Sequence, residues 1–123
     1  MLRLLNQGKA FTLARLAGSG LTVHLFCNDV VPGDFDQNAS YQELVGGGYA
    51  PKALPLEGWT IIDGQMVYPR QDWLFTSTPN VPRVYGYFVS EAGGTILWAE
   101  RGPAPFTVAA GGEYRVVPKF VLE

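Results

Sequence analysis

The sequence predicts one mostly β domain spanning residues 1–123: an antiparallel β-sandwich or barrel with a short N-terminal helix and one long loop. Three observations predict it. Apolar residues alternate with period two in several short runs. Turn chemistry punctuates those runs, with 15 glycines and 9 prolines among 123 residues. Hydrophobic residues make up 47% of the chain, too many for a disordered segment. A chain of this size buries roughly two-thirds of its unfolded surface, enough for a core without disulfide or structural metal.

Residues 1–20 form an N-terminal segment. Within it Lys9 to Ala17 are good helix formers and Gly18 is a natural stop. Phe11, Leu13, Ala14, Leu16 and Ala17 supply its apolar stripe. From Leu21 the period becomes two: Leu21, Val23, Leu25 and Cys27 share one face, and Thr22, His24 and Phe26 the other. Asn28-Asp29 and Pro32-Gly33-Asp34 end this strand.

Residues 35–58 hold Gly46-Gly47-Gly48, Pro51 and Pro55 and no sustained period. They read as a long loop or arm, with a helical turn expected around Tyr41 to Val45. The loop displays Phe35, Tyr41, Tyr49 and Leu54, which are the candidate interface residues. Two arrangements account for them: an arm that orders on a neighbouring molecule, or a loop folded back over its own domain.

Trp59 to Tyr68 carries Asp63-Gly64 between two β-prone runs, the signature of a two-residue hairpin whose central positions need positive φ. Pro69 ends it. Val84 to Val89 alternates again, Glu91 to Gly94 turns, and Thr95 to Arg101 returns until Gly102-Pro103 breaks the strand. Phe106 to Ala110, Gly111-Gly112 and Glu113 to Leu122 are expected to form a second hairpin.

Composition narrows the function. A formal net charge of −2 gives no electrostatic grip on nucleic acid or anionic lipid. No apolar run reaches the length of a membrane span. Met1 to Lys9 lacks a signal-peptide apolar stretch, so a soluble protein made in the cytoplasm is expected. One cysteine precludes an internal disulfide, and one histidine precludes zinc sites built from His and Cys alone. No cofactor and no metal are expected.

The chemical motifs fall short. A Ser-His-Asp site would need His24, which lies mid-strand without a Gly-x-Ser-x-Gly elbow anywhere, and reads as a half-exposed strand residue. Cys27 alternates with Leu and Val and reads as a buried thiol. Asp34, Asp36 and Asn38 start like a calcium loop, but Ala39 and Val45 occupy the positions of its glycine and its bidentate glutamate. Gly46-Gly47-Gly48 lacks the Lys-Ser/Thr of a phosphate loop. Trp59, Trp73 and Trp98 with Tyr41, Tyr49 and Tyr68 read as a sugar-stacking platform, as core, or as anchors for a protein partner. No acid–base pair is legible, and a non-enzymatic role is expected.

An ordered series of segments carries a resemblance: Leu21 to Asp29, the Pro32-Gly33-Asp34 turn, Gly48 to Ala50, Phe75-Thr76, Val84 to Val89, Ile96 to Arg101 and Val117 to Leu122. In this order, over residues 21–122, the chain resembles small structural proteins of tailed bacteriophages, of the head decoration (cement) type. Cys27 departs from the pattern, standing where a polar or charged residue is expected. The resemblance implies a β domain on the virion capsid surface, partnered by the major capsid protein and by itself as a homotrimer, with no catalytic residues. A tail, fibre or baseplate component, and a carbohydrate-binding module, are the alternative readings.

Overall fold

The structure, a computed structural model, describes residues 1–122. The fold is mostly β with one short N-terminal helix, as the sequence predicts. Helix α1 spans Asn6–Ala17, three residues longer at its start than expected. It buries Leu13 and Ala17, whereas Phe11 and Ala14 face solvent. The apolar stripe is therefore narrower than the composition implied.

Among the described residues nine strands follow: β1 Leu21–Phe26, β2 Lys52–Leu54, β3 Thr60–Ile62, β4 Gln65–Val67, β5 Gln71–Leu74, β6 Arg83–Ser90, β7 Ile96–Thr107, β8 Glu113–Val116 and β9 Lys119–Val121. They form three antiparallel sheets in the orders β2-β1-β6-β7, β3-β4-β9 and β5-β8. The core lies between them. Leu21, Val23 and Leu25 of β1 and Tyr87 and Val89 of β6 share one face of the large sheet. They join Met66 of β4, Trp73 of β5 and Val116 of β8 in one cluster. Trp98 on Phe120, with ring centroids 5.0 Å apart, stitches β7 to β9.

The Asp63-Gly64 hairpin forms as predicted: β3 pairs with β4 around Asp63 at φ 51° and Gly64 at φ 77°. Three expectations are corrected. First, Gly102-Pro103 does not end β7. The ladder jumps from Gly86↔Arg101 to Val84↔Phe106, so residues 102–105 bulge opposite Tyr85 alone. On an edge strand a missing proline N–H leaves no partner unpaired, which makes this tolerable.

Second, the strands either side of Gly111-Gly112 do not pair with each other. Phe106 and Thr107 stay on β6, β8 pairs with β5, and β9, set off by Pro118, pairs with β4. Third, residues 35–58 contain structure. They hold β2 and two 3₁₀ turns, Asn38–Ser40 and Leu56–Gly58, and no helical turn forms over Tyr41 to Val45. Gln42 to Leu44 instead run along β1 beyond the end of β2: Cys27 N–H donates to Gln42 O at 2.8 Å and Leu44 N–H to Leu25 O at 3.0 Å. Gly47, at φ 67°, brings its backbone against Ser77, so close that a Cβ would lie 2.9 Å from the Ser77 carbonyl oxygen.

Candidate functional site

The second face of the large sheet carries Thr22, His24 and Phe26 of β1 beside Phe88 and Ser90 of β6. A strap, residues 28–45, crosses this face and is tied down at three places. At one end Arg101 donates to Asp29 Oδ1 at 2.6 Å and to the Val30 carbonyl at 3.0 Å. At the middle Asn38 accepts from Ile96 N–H at 2.9 Å and donates to Gly94 O at 3.1 Å, gripping the start of β7 and the turn before it. At the other end stands Glu43.

Glu43 is the hub of a polar chain. Its Oε2 lies 2.7 Å from His24 Nδ1 and accepts from the Tyr49 hydroxyl at 2.6 Å. His24 Nε2 lies 2.8 Å from Ser90 Oγ. A carboxylate only accepts, so His24 donates from Nδ1 to Glu43, while Nε2 and the Ser90 hydroxyl share the second hydrogen bond. The Tyr49 oxygen in turn accepts from Leu25 N–H at 3.0 Å, satisfying a strand-edge donor that β2 is too short to reach. Burial, reinforced by the bond to Glu43, holds the Tyr49 phenol well above its usual pKa.

The order serine, imidazole, carboxylate is that of a nucleophilic triad, and the distances match one. Access does not. Ser90 is 6% exposed, and the Phe88 ring lies flat on the imidazole, with centroids 4.6 Å apart. A nucleophile must meet its carbonyl carbon in a cleft, and none of Ser90, His24 and Glu43 lines the groove beside the strap described next. The chain is a clasp that fixes the strap to β1 and β6. Sequence reasoning singled out His24 alone. Glu43 and Ser90 stand 19 and 66 residues away, and no spacing rule connects them.

Between the strap and β7 runs a groove of about 490 Å³, lined by Asp34, Asp36 and Tyr41 on one side and by Ile96 to Ala99 on the other. Asp36 Oδ2 accepts from Gly33 N–H at 2.9 Å and from the Tyr41 hydroxyl at 2.6 Å. These bonds, Tyr41's foremost, hold its carboxyl below the usual range. Asp36 Oδ2 is thus spent on the strap's own turn and Asn38 Oδ1 on the Ile96 N–H of β7. Among the described residues no group of three metal-ligating side chains converges. Cys27 is buried, and burial raises its thiol pKa.

The four candidate interface residues part company. Phe35 is 97% exposed. Tyr41 is half-buried against Phe26 and Phe88, with centroids 5.3 and 5.8 Å away. Tyr49 is half-buried beside Trp73, and Leu54 is wholly buried in the core. Within the subunit the segment is thus the folded-back loop, and Leu54 is not displayed. Trp59 and Trp73 are also core, each donating its indole N–H to a backbone carbonyl, of Leu54 and Ala50. They present no stacking platform to solvent. Set against known protein families, characterised proteins and solved structures, the chain finds no match.

Proposed function

We propose that this chain is a virion structural protein of the head decoration type, binding the major capsid protein through the strap. The resemblance in segment order supports the class of protein, and one observation carries the mechanism: Phe35 stands in water on a turn that is held by hydrogen bonds on either side of it. Asp36 closes that turn onto Gly33, and Ser40 Oγ accepts from Gln37 N–H at 3.0 Å just after it. The clasp and the Asn38 bridge hold the base. An aromatic anchor on a rigid mount forgoes little conformational entropy on docking, which is what an interface hot spot requires. Low charge suits the same use, since charged residues are only 16% of the chain and interface cores are poor in charge.

The test is binding of the purified protein to tailed-phage heads that lack it, with electron microscopy to locate it. Phe35→Ala is expected to leave the melting temperature in place and weaken head binding by roughly tenfold or more, equivalent to about 1.4 kcal/mol. Unchanged binding by Phe35→Ala overturns the role of the strap. Density on the tail, fibre or baseplate with none on the head overturns the decoration reading.

A further inference from the structure

The charge of this molecule is unevenly distributed. Residues 1–28 hold Arg3, Lys9 and Arg15 and no acidic residue, while the remaining chain carries all eleven carboxylates against six cations. The first five residues, Met1-Leu2-Arg3-Leu4-Leu5, precede α1, and Leu2 is 97% exposed. Leu5 has extended backbone, with φ −73° and ψ 159°. Among the described residues Arg3 and Lys9 form no ion pair. In its own subunit this segment lies beside Asp63, Val121 and Leu122, at the three-stranded sheet.

The groove between strap and β7 belongs to the other sheet and is the segment's complement. Its acidic side carries Asp34 and Asp36, and Asp34 has no ion-pair partner among the described residues. Its other side is a run of consecutive residues, Ile96 to Ala99, on β7, the outer strand of the four-stranded sheet, which pairs with no further strand and of which Asn38 takes only the Ile96 N–H. Leu97, displaced at the bulge between the Val89 and Ser90 pairs, is exposed there. An unpaired strand edge takes up extended apolar segments, and flanking carboxylates select a cationic one.

The geometry points to arm exchange between copies: Met1–Leu5 of one copy lies along β7 in the groove of the next, with Arg3 against Asp34. The contact is heterologous, because arm and groove are different surfaces, so it assembles a ring when the rotation closes. This deepens the assembly reading above and rests on it for self-association, supplying the surfaces by which copies meet.

The experiment is sedimentation of the full chain over a concentration series, in low and high salt, for four proteins: wild type, Arg3→Glu, Asp34→Lys and the double reversal. Both positions lie outside the core, and melting curves confirm that each variant folds. Wild type is expected to self-associate, more weakly in high salt. Each single reversal is expected to weaken association by roughly tenfold or more, and the double reversal to recover most of it. Leu2→Cys mixed with Leu97→Cys under oxidation is expected to give a cross-linked pair, since the only native cysteine is buried. A chain that stays monomeric, or that associates equally in all four forms, overturns the inference. Failure here with head binding intact leaves the decoration reading standing; salt-sensitive, rescuable association without any binding to virions leaves arm exchange standing and overturns that reading.

Discussion

Replacing Glu43 by alanine removes one carboxylate from between two donors. Tyr49 loses its acceptor at 2.6 Å and His24 Nδ1 its partner at 2.7 Å. Hydrogen bonds to charged groups contribute about 1.5–3 kcal/mol each. The Glu43 side chain is about one-third exposed, which places both at the lower end, so the expected cost is about 2–3 kcal/mol. Tyr49→Phe removes the same bond to Glu43 and also strips Leu25 N–H of its acceptor, at about 2 kcal/mol. The two substitutions share one bond, so the double variant is expected to fall short of their sum by about 1–2 kcal/mol. For a domain of this size each kcal/mol moves the melting temperature by roughly 3–5 °C, so Glu43→Ala alone is expected to melt roughly 6–15 °C lower. Thermal and guanidinium unfolding of the four proteins measure the cycle. A Glu43→Ala protein that melts with wild type, or strictly additive effects, refutes the clasp.

Two further perturbations test the frame around it. Gly64→Val places a β-branched residue at φ 77° with its Cβ about 2.8 Å from the Leu122 carbonyl oxygen, and is expected to cost about 1–2 kcal/mol from the backbone alone; an unchanged melting curve contradicts the turn. Alkali is expected to destabilise the fold. Burial raises the phenol pKa of Tyr41, Tyr49 and Tyr114 and pushes that of Tyr87 up to about 12. Between the unfolded value near ~10 and those folded values the native state binds more protons, so stability is full below about pH 10 and falls as pH rises through them. Guanidinium midpoints from pH 8 upward, read beside tyrosinate absorbance, check the sign; midpoints that hold or rise above pH 10 contradict it.

The parts of this fold that a reader of the sequence recovers are those whose determinants are neighbours in the chain. Asp63-Gly64 names its own turn, and alternation in β1 and β6 names its own faces, because both are local rules. Strand β5 has no such signature: Gln71 to Leu74 follow Pro69-Arg70, and pairing with β8 some 40 residues on makes them a strand. The Gly111-Gly112 turn is real, with Gly112 N–H on Ala109 O at 2.9 Å. A turn fixes where the chain reverses, not which strand it then meets. Here the bulge of residues 102–105 sends Phe106 back to β6, and Pro118 separates β8 from β9.

The strap shows why absence of period is a poor guide to absence of order. Periodicity records backbone ladders, whereas most of residues 28–45 is held by side chains reaching groups far along the chain: Asn28 on the Ser40 and Gln42 backbone, Asn38 on the Gly94 and Ile96 backbone, and Glu43 on the His24 and Tyr49 side chains. Such contacts leave no repeat to find, and Asn, Asp and Ser read as solvated turn residues in a sequence. The same contacts sort the apolar residues of the loop. Tyr49 completes an edge of β1, Tyr41 packs over Phe26 and Phe88, and Leu54 belongs to the core; each has a use within the subunit. Phe35 has none, and the turn beneath it is closed by Asp36 rather than free to fold it inward. Local sequence lists the residues able to serve an interface, and packing subtracts those the fold itself consumes. Phe35 is the aromatic of this loop that the fold leaves exposed, and the proposed interface is built on it.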